Sequence, residues 1–255
     1  MTYCVGILAG EGLVMIADTR TNAGLDNVAT FRKLHVFRDP GKKLFALATA
    51  GNLGFTQSVI SILREGLERE DGRFETLLDQ PSMFRAAQFV GEVIRHVYRT
   101  DGPALEQHGA SVEVSMLLAG QIAGRSLRLF MLYKAGNFIE ATQDTPYLQI
   151  GEHKYGKPIL DRAVTFSSDL YDSLKLGLIS MDSTMRSNLG VGLPIDILVL
   201  RRDAIIPEVE HRIEAGEPYY AGEPYYHDLR ERWSAALRKA HNDIPPPPYR
   251  PKPVV

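Results

Sequence analysis

The sequence predicts an α+β fold, a four-layer αββα sandwich in which two antiparallel sheets lie between outer helices. Three observations support this prediction. Strand patterns and helix patterns occur in groups along the chain instead of alternating, which argues against a doubly wound or barrel sheet. Short glycine-containing turns join neighbouring strand segments, as antiparallel pairing allows. The 255 residues are 44% apolar and 24% charged, which is typical of a globular protein with a sizeable core.

The first fifty residues contain two predicted hairpins, in which short apolar strands are joined by turns at Gly10-Glu11-Gly12 and Asp39-Pro40-Gly41. Their strand segments are residues 3–9, 13–17, 34–37 and 44–49. After residue 51, apolar side chains recur at helical spacing. Two helices follow, and the second is capped by Ser82 and expected to end at Gly102-Pro103.

Strands return after the second helix. Residues 112–119, 127–133 and 138–141 predict an antiparallel meander. A third helix is expected from near Asp169 to about Arg186, and residues 194–200 form a closing strand. We therefore assign residues 1–213 to one domain.

Residues 214–255 are predicted to be a C-terminal extension of different character. The sequence Gly-Glu-Pro-Tyr-Tyr occurs at 216–220 and again at 222–226. A helical pattern follows from about Asp228 to Ala240, and four consecutive prolines occupy positions 245–248. Such a tail favours polyproline II and contributes little to a core. We expect an arm that docks on another surface, although the composition fits a loose tail equally well.

Charge and composition exclude several classes of partner. The formal charge of −2 gives no electrostatic reason to expect nucleic acid, and no apolar run is long enough for a membrane helix. The single cysteine, Cys4, rules out an internal disulfide framework and suits a reducing cytoplasm. Residues 151–158 approach a phosphate-binding loop but end in Pro158, which lacks the hydroxyl that would hold magnesium. We expect neither a metal nor a cofactor.

The start of the chain carries the most informative chemistry. Because Gly10 and Glu11 turn the first hairpin, Thr2 lies opposite Asp18 or a neighbour of it. Lys33 lies at the beginning of the next strand segment. A nucleophilic hydroxyl needs a base and an orienting group within hydrogen-bond reach, so these three side chains can form a catalytic group.

Four stretches of this sequence resemble the proteasome β-subunit family of N-terminal nucleophile hydrolases. They are TYCVGI at 2–7, IADTR at 16–20, RKL at 32–34 and AGNLGFTQ at 50–57. The resemblance covers roughly residues 2–203, and the Thr start, chain length and appended tail are most similar to the bacterial ancestral β-subunit branch, called Anbu. It implies the αββα sandwich, ring-like or helical homo-oligomers and threonine-type amide hydrolysis.

Carried over residue by residue, the resemblance implies catalytic roles for five positions. Thr2 matches the nucleophile, and Asp18 and Lys33 match the carboxylate and the lysine that accompany it. Gly51 matches a glycine whose backbone N–H helps to form the oxyanion hole. Ser187 matches a serine close to the nucleophile's amine.

Substrate contacts are expected at Asn22, Phe31, Thr49 and Leu53. Two positions depart from the family pattern. Thr184 occupies the position of an aspartate, and Glu152 occupies the position of a second serine. The sequence assigns no role to the nearby Asp182. These departures concern the groups that support the amine and leave the nucleophile itself intact.

We expect a cytoplasmic threonine-type peptidase or amidase that acts on a peptide or amide substrate within a large homo-oligomer, once Met1 is removed. Two alternatives stay open: a catalytically weak scaffold or binding ring, and an amidase acting on small amides or isopeptides. Cys4 would be a rival nucleophile only after further trimming, and packing in its strand is the simpler interpretation. The sequence identifies neither the natural substrate nor an ATPase or other accessory partner.

Overall fold

The structure, a computed structural model, describes residues 1–22, 28–216 and 223–249. Its strands are β1 (Tyr3–Ala9), β2 (Gly12–Asp18), β3 (Arg20–Asn22), β4 (Val28–Thr30), β5 (Leu34–Asp39), β6 (Lys43–Gly51), β7 (Leu67–Glu68), β8 (Phe74–Glu75), β9 (Val114–Ile122), β10 (Arg128–Tyr133), β11 (Phe138–Glu140), β12 (Tyr147–Gly151), β13 (Ile195–Arg201) and β14 (Val209–Ile213). Its helices are α1 (Leu53–Glu65), α2 (Met83–Gln107), α3 (Lys157–Ala163), α4 (Leu170–Ser187) and α5 (Pro224–Asp243).

Ten of the described strands form two five-stranded antiparallel sheets. The first sheet has the order β12-β1-β2-β13-β14, and the second has the order β11-β10-β9-β6-β5. In the first hairpin Cys4 pairs with Ala17, so the predicted register is confirmed. The meander of β9, β10 and β11 is confirmed as well. The chain is therefore a mixed α/β protein built on antiparallel sheets.

Three groups of buried apolar side chains hold these elements together. In one, α1 and α2 pack on the second sheet; this group includes Phe55, Val93 and Phe130. In another, residues of both sheets meet, including Met15 and Leu117. The third joins the other face of the first sheet to α4 and α5. Because β1 and β2 are covered on both faces, their residues up to Ala17 show no alternation of apolar and charged side chains.

The second helix is longer than the sequence predicts. The expectation that Gly102-Pro103 ends it is wrong, since α2 runs through Pro103 to Gln107. A proline inside a helix removes one backbone hydrogen bond. Here Leu105, beyond the proline, packs against the helix-side core, and the Tyr98 hydroxyl donates to Glu106 at 2.9 Å across the proline turn. Tertiary packing thus outweighs the local signal.

Four elements near the candidate site were not anticipated: β3, β4, β12 and α3. Strand β12 pairs with β1, with Tyr3 opposite Gly151, and so brings the segment around residue 151 to the chain start. The sequence that approaches a phosphate-binding loop forms a turn at residues 154–156, between β12 and α3. There Gly156 packs on Ser180 of α4 so closely that a Cβ would overlap that side chain.

Helix α5 begins at Pro224, four residues before the predicted start, because proline fits the first turn of a helix. Tyr226 and Leu229 are buried against α4, and the Arg230 guanidinium pairs with the buried Asp182 carboxylate. Most of the first Gly-Glu-Pro-Tyr-Tyr copy, at 217–220, and residues 250–255 of the tail lie outside the described residues. No helix in the described part of the chain has the length and apolar character needed to cross a membrane.

Candidate active site at the chain start

The first strand places the chain start beside Asp18. The backbone N–H of Tyr3 donates to Asp18 Oδ1 at 3.0 Å, so the carboxylate lies one residue away from Thr2. Thr2 itself is 8% exposed. The convergence predicted for this end of the hairpin is therefore present, although Tyr3, and not Thr2, makes the direct bond to the carboxylate.

Lys33 reaches the same point from the start of β5. Its Nζ donates to Asp18 Oδ1 at 2.8 Å and to the carbonyl oxygen of Arg20 at 2.6 Å. Its third contact is the carbonyl oxygen of Met1, at 3.5 Å. An ammonium group has three donors, and all three have an acceptor here. Since that Met1 carbonyl is bonded to the Thr2 nitrogen, the lysine lies directly beside the peptide bond before Thr2.

The Asp18–Lys33 pair is buried on both sides, with side chains 0% and 6% exposed. Burial raises the pKa of Asp18 above its usual range, and the Lys33 ammonium and the N–H groups of Tyr3 and Gly192 act in the opposite direction. The Gly192 N–H donates to Asp18 Oδ2 at 3.3 Å. The carboxylate thus accepts three hydrogen bonds and holds the lysine in a fixed position.

Gly51 ends β6 on the second sheet. Its φ is +120°, and a Cβ at this position would overlap the carbonyl oxygen of Glu113. Two contacts bring this strand end to the chain start: the Thr49 N–H donates to the Lys33 carbonyl at 3.0 Å, and Cys4 Sγ lies 3.8 Å from the Thr49 carbonyl oxygen. Only glycine fits at position 51, because any side chain there would collide with Glu113. This packing requirement is separate from a role of the Gly51 N–H in an oxyanion hole.

Ser187 is the exposed last residue of α4. Its neighbour Asn188 reaches the chain start, because Asn188 Nδ2 donates to Glu152 Oε2 at 3.1 Å. The Glu152 N–H in turn donates to the Thr2 carbonyl at 2.7 Å. The sequence analysis placed Ser187 near the amine of Thr2. In the structure, the hydrogen bonds that link the end of α4 to Thr2 are made by Asn188 and Glu152 instead.

The two other residues that the sequence left open lie inside α4. The Thr184 hydroxyl donates to the Ser180 carbonyl at 2.9 Å, within the helix. Asp182 accepts from Arg186 at 2.9 Å and pairs with Arg230 of α5. Asp182 therefore attaches the C-terminal helix and is not one of the groups around Thr2.

The four residues expected to contact substrate differ in accessibility. Phe31 is 37% exposed, Leu53 is half-buried at the start of α1, and Thr49 is buried. Asn22 ends β3, and its side chain lies outside the described part of the structure. Phe31 and Leu53 are thus the two with described surface that a substrate could touch.

The sequence analysis missed two residues that hold the Asp18–Lys33 pair in place, Arg20 and Gly192. Arg20 gives its carbonyl to Lys33, and its Nη1 donates to the Leu189 carbonyl at 3.1 Å. Gly192 donates to Asp18 and lies against the Arg20 guanidinium. Arg20 lies two residues after Asp18 in the sequence, so its proximity to the site could have been predicted. No local sequence feature indicates that Gly192 reaches Asp18. Among the described residues, no group of three or more His, Cys, Asp or Glu side chains is arranged to hold a metal ion.

No protein-family model matches this chain, and no curated protein sequence matches it. Solved structures do. Anbu, the ancestral β-subunit, from Yersinia bercovieri is 42% identical over 97% of this chain and 99% of that one, with a TM-score of 0.85. Anbu from Hyphomicrobium sp. strain MC1 is 44% identical over 96% of this chain and 98% of that one, with a TM-score of 0.85. A third structure is described as the helical assembly of the Anbu complex from Pseudomonas aeruginosa. It is 44% identical over 97% of this chain and 98% of that one, with a TM-score of 0.87.

Proposed function

This chain belongs to the Anbu (ancestral β-subunit) family, and from that premise we propose that it is a threonine-type amide hydrolase whose nucleophile is Thr2. The observation that carries the proposal is the buried Lys33 ammonium, held by Asp18 at 2.8 Å and lying 3.5 Å from the Met1 carbonyl oxygen. A buried ion pair contributes little net stability, and buried ionisable groups cluster at functional sites, so its position next to the peptide bond before Thr2 supports a catalytic role.

We further infer the four-layer αββα sandwich of N-terminal nucleophile hydrolases. The support is that one apolar group lies between helices and the second sheet, one between the sheets, and one between the first sheet and α4 with α5. In such a sandwich residues 1–213 form the hydrolase domain and residues 214–255 an extension. The attachment of α5 to α4 fits an extension that is anchored at its helix.

In the proposed reaction, removal of Met1 frees the α-amino group of Thr2. An α-amine has a reference pKa of about 7.7–8.0, which suits a general base near neutrality. The amine accepts the Thr2 hydroxyl proton as the oxygen attacks the substrate's amide carbonyl. The carbonyl oxygen becomes an oxyanion, which the Gly51 N–H stabilises; one such donor contributes about 2.7–4 kcal/mol to lowering the barrier. Asp18 holds Lys33 in place, and the Lys33 ammonium favours the neutral form of the nearby α-amine.

The tetrahedral intermediate then collapses. The C–N bond breaks, the leaving amine takes the proton that the α-amine accepted, and the substrate's acyl group stays on Thr2 as an ester. Water, deprotonated by the same α-amine, attacks the ester. The Thr2 hydroxyl is restored and a carboxylic acid is released.

The proposal is tested with a β-lactone, an electrophile that acylates a reactive threonine hydroxyl by ring opening. We expect the chain lacking Met1 to gain the mass of the lactone on Thr2, and Thr2→Ala to gain none. Cys4→Ala serves as the control, since Cys4 is the other nucleophile near the chain start and is fully buried. Equal acylation of Thr2→Ala and the wild-type chain would refute the catalytic assignment.

The alternative of a scaffold or latent form applies to a chain that keeps Met1. With Met1 attached, its carbonyl acylates the Thr2 nitrogen and its side chain lies against Gly190. No free amine then exists to act as base. Intact mass of protein from its native source distinguishes the two: loss of one methionine supports the hydrolase, and uniform retention supports the scaffold. Hydrolysis of small amides or isopeptides but not of peptides would favour the amidase alternative.

We also propose that the chain forms a large homo-oligomer and acts in the cytoplasm. The Pseudomonas aeruginosa relative is described as a helical assembly. A hydrolase without a narrow substrate class must be kept from other proteins, and assembly achieves that. Exposed apolar side chains at Leu237, Ile244 and Tyr249 give the extension a surface with which to contact a neighbouring copy.

A further inference from the structure

Glu152 is fixed against Thr2 by the backbone. Its N–H donates to the Thr2 carbonyl at 2.7 Å, one step beyond the Tyr3–Gly151 pair that ends the β1–β12 ladder. Gly151 makes this close approach feasible, because its φ is +79° and a Cβ there would overlap the Thr2 carbonyl oxygen. The residue that carries the carboxylate is thus the immediate cross-strand neighbour of Thr2.

The Glu152 side chain is held by the loop that follows α4. Asn188 Nδ2 donates to Glu152 Oε2 at 3.1 Å, and Asn188 Oδ1 accepts the Gly190 N–H at 2.9 Å. Gly190 lies against Met1, since a Cβ added to it would come within 2.6 Å of the Met1 Cβ. The carboxylate is therefore attached to the same loop that touches the residue before Thr2.

Other charged or titratable side chains also face this point. Asp18 and Lys33 approach from β2 and β5 and pair with each other at 2.8 Å. Arg20, from β3, binds the Leu189 carbonyl on the loop, and the His153 ring lies 3.2 Å from the Gly151 carbonyl oxygen. Glu152 forms no ion pair with any residue that the structure describes. Its carboxylate therefore has no counter-charge among the described residues.

We propose that Glu152 is the positioning residue for the α-amino group of Thr2: after Met1 is removed, its carboxylate accepts a hydrogen bond from the α-ammonium. The proposal rests on the proposed function in one respect, since Thr2 must be the first residue. A nearby carboxylate favours the charged form of an amine and so raises its pKa. Lys33 acts in the opposite direction. Glu152 therefore shifts formation of the free-amine base, and any activity that needs it, to higher pH.

The test measures the amine directly and needs no substrate. The chain beginning at Thr2 is prepared by cleaving an N-terminal fusion, and the pKa of its α-amine is obtained from the pH dependence of acetylation by trace acetic anhydride. We expect Glu152→Gln to lower that pKa by about one pH unit. Glu11→Gln is the matched control, because it removes the same charge at the opposite end of the β1–β2 hairpin and should leave the amine unchanged.

A second variant covers the case in which Glu152→Gln does not fold. Asn188→Ala keeps the carboxylate but releases it from the loop, so the amine pKa should fall by a smaller amount. An amine pKa equal to that of the control in whichever of these variants folds overturns the proposal. The outcome is distinct from failure of the proposed function, because a chain that hydrolyses nothing still has an α-amine whose pKa either does or does not respond to Glu152.

Discussion

Asp18→Asn is the substitution whose effect follows most directly from the structure. Asp18 accepts from Tyr3 N at 3.0 Å, Lys33 Nζ at 2.8 Å and Gly192 N at 3.3 Å. An asparagine offers one oxygen and one NH₂ group in place of two acceptor oxygens. One of the three groups that donate to Asp18 then faces the asparagine NH₂ group, which is itself a donor. The buried Lys33 ammonium also loses its counter-charge.

The magnitude follows from burial on both sides of the pair. Removing one partner of a buried ion pair costs about 3–5 kcal/mol, because the remaining charge is left uncompensated. A domain of ordinary stability has about 5–15 kcal/mol in total, so Asp18→Asn should remain folded but unfold at markedly lower urea. Lys33→Met, which removes the charge and keeps the stem, should cost a similar amount.

A double-mutant cycle separates the pair from its surroundings. Because Asp18→Asn with Lys33→Met leaves no unpaired charge, the double variant should lose at least about 2 kcal/mol less than the sum of the single losses, as urea unfolding measures. It should nevertheless fail to react with the β-lactone, since Lys33 is absent. Single losses that add to within about 0.5 kcal/mol would show that the two groups are not coupled, and the assignment of Lys33 would then lose its physical basis.

Three further outcomes are expected. Gly51→Ala should destabilise the chain by about 1–3 kcal/mol in urea unfolding and abolish β-lactone labelling, because φ is +120° and Glu113 blocks the Cβ. Gly41→Ala is the control, since Gly41 has a φ of +73° but open space around it and so lacks the packing clash. Burial, together with Arg64 and Arg32, lowers the pKa of His35 to about 4. Since this pKa is depressed on folding, stability present above about pH 6.5 should fall by up to about 3 kcal/mol as the pH drops towards 4, and His35→Gln should flatten this part of the pH profile. Deletion of residues 245–255 should reduce the assembly mass in light scattering but leave the melting temperature of the subunit unchanged, because 245–249 are exposed; unchanged mass would make the tail dispensable.

The parts of the fold that local signals specify were predictable. The turn at Gly10-Glu11-Gly12 fixes the register of β1 with β2, and the sequence was sufficient to find it. Strand β12 was missed because its five residues carry only a short apolar alternation, and its pairing with β1 depends on a contact between distant parts of the chain. The end of α2 was misplaced because packing of Leu105 on the helix-side core overrides the proline.

The candidate site divides in the same way. Asp18 is brought near Thr2 by one hairpin, so spacing alone was enough to expect it. Lys33 needs the second hairpin to lie against the first; its position at the start of a strand segment made it a candidate, and the resemblance to a family gave it a role. Glu152 and Asn188 depend on the pairing of β12 and on the loop after α4, more than 140 residues away from Thr2 in the chain. The groups that we propose act on the hydroxyl are therefore close to Thr2 in the sequence, whereas those proposed to lie beside the amine are brought there only by the complete fold. If so, destabilising the attachment of β12 or the loop at 188–192 should alter the amine's titration before it disturbs the Asp18–Lys33 pair, because the two sets of contacts to the chain start are made by different elements.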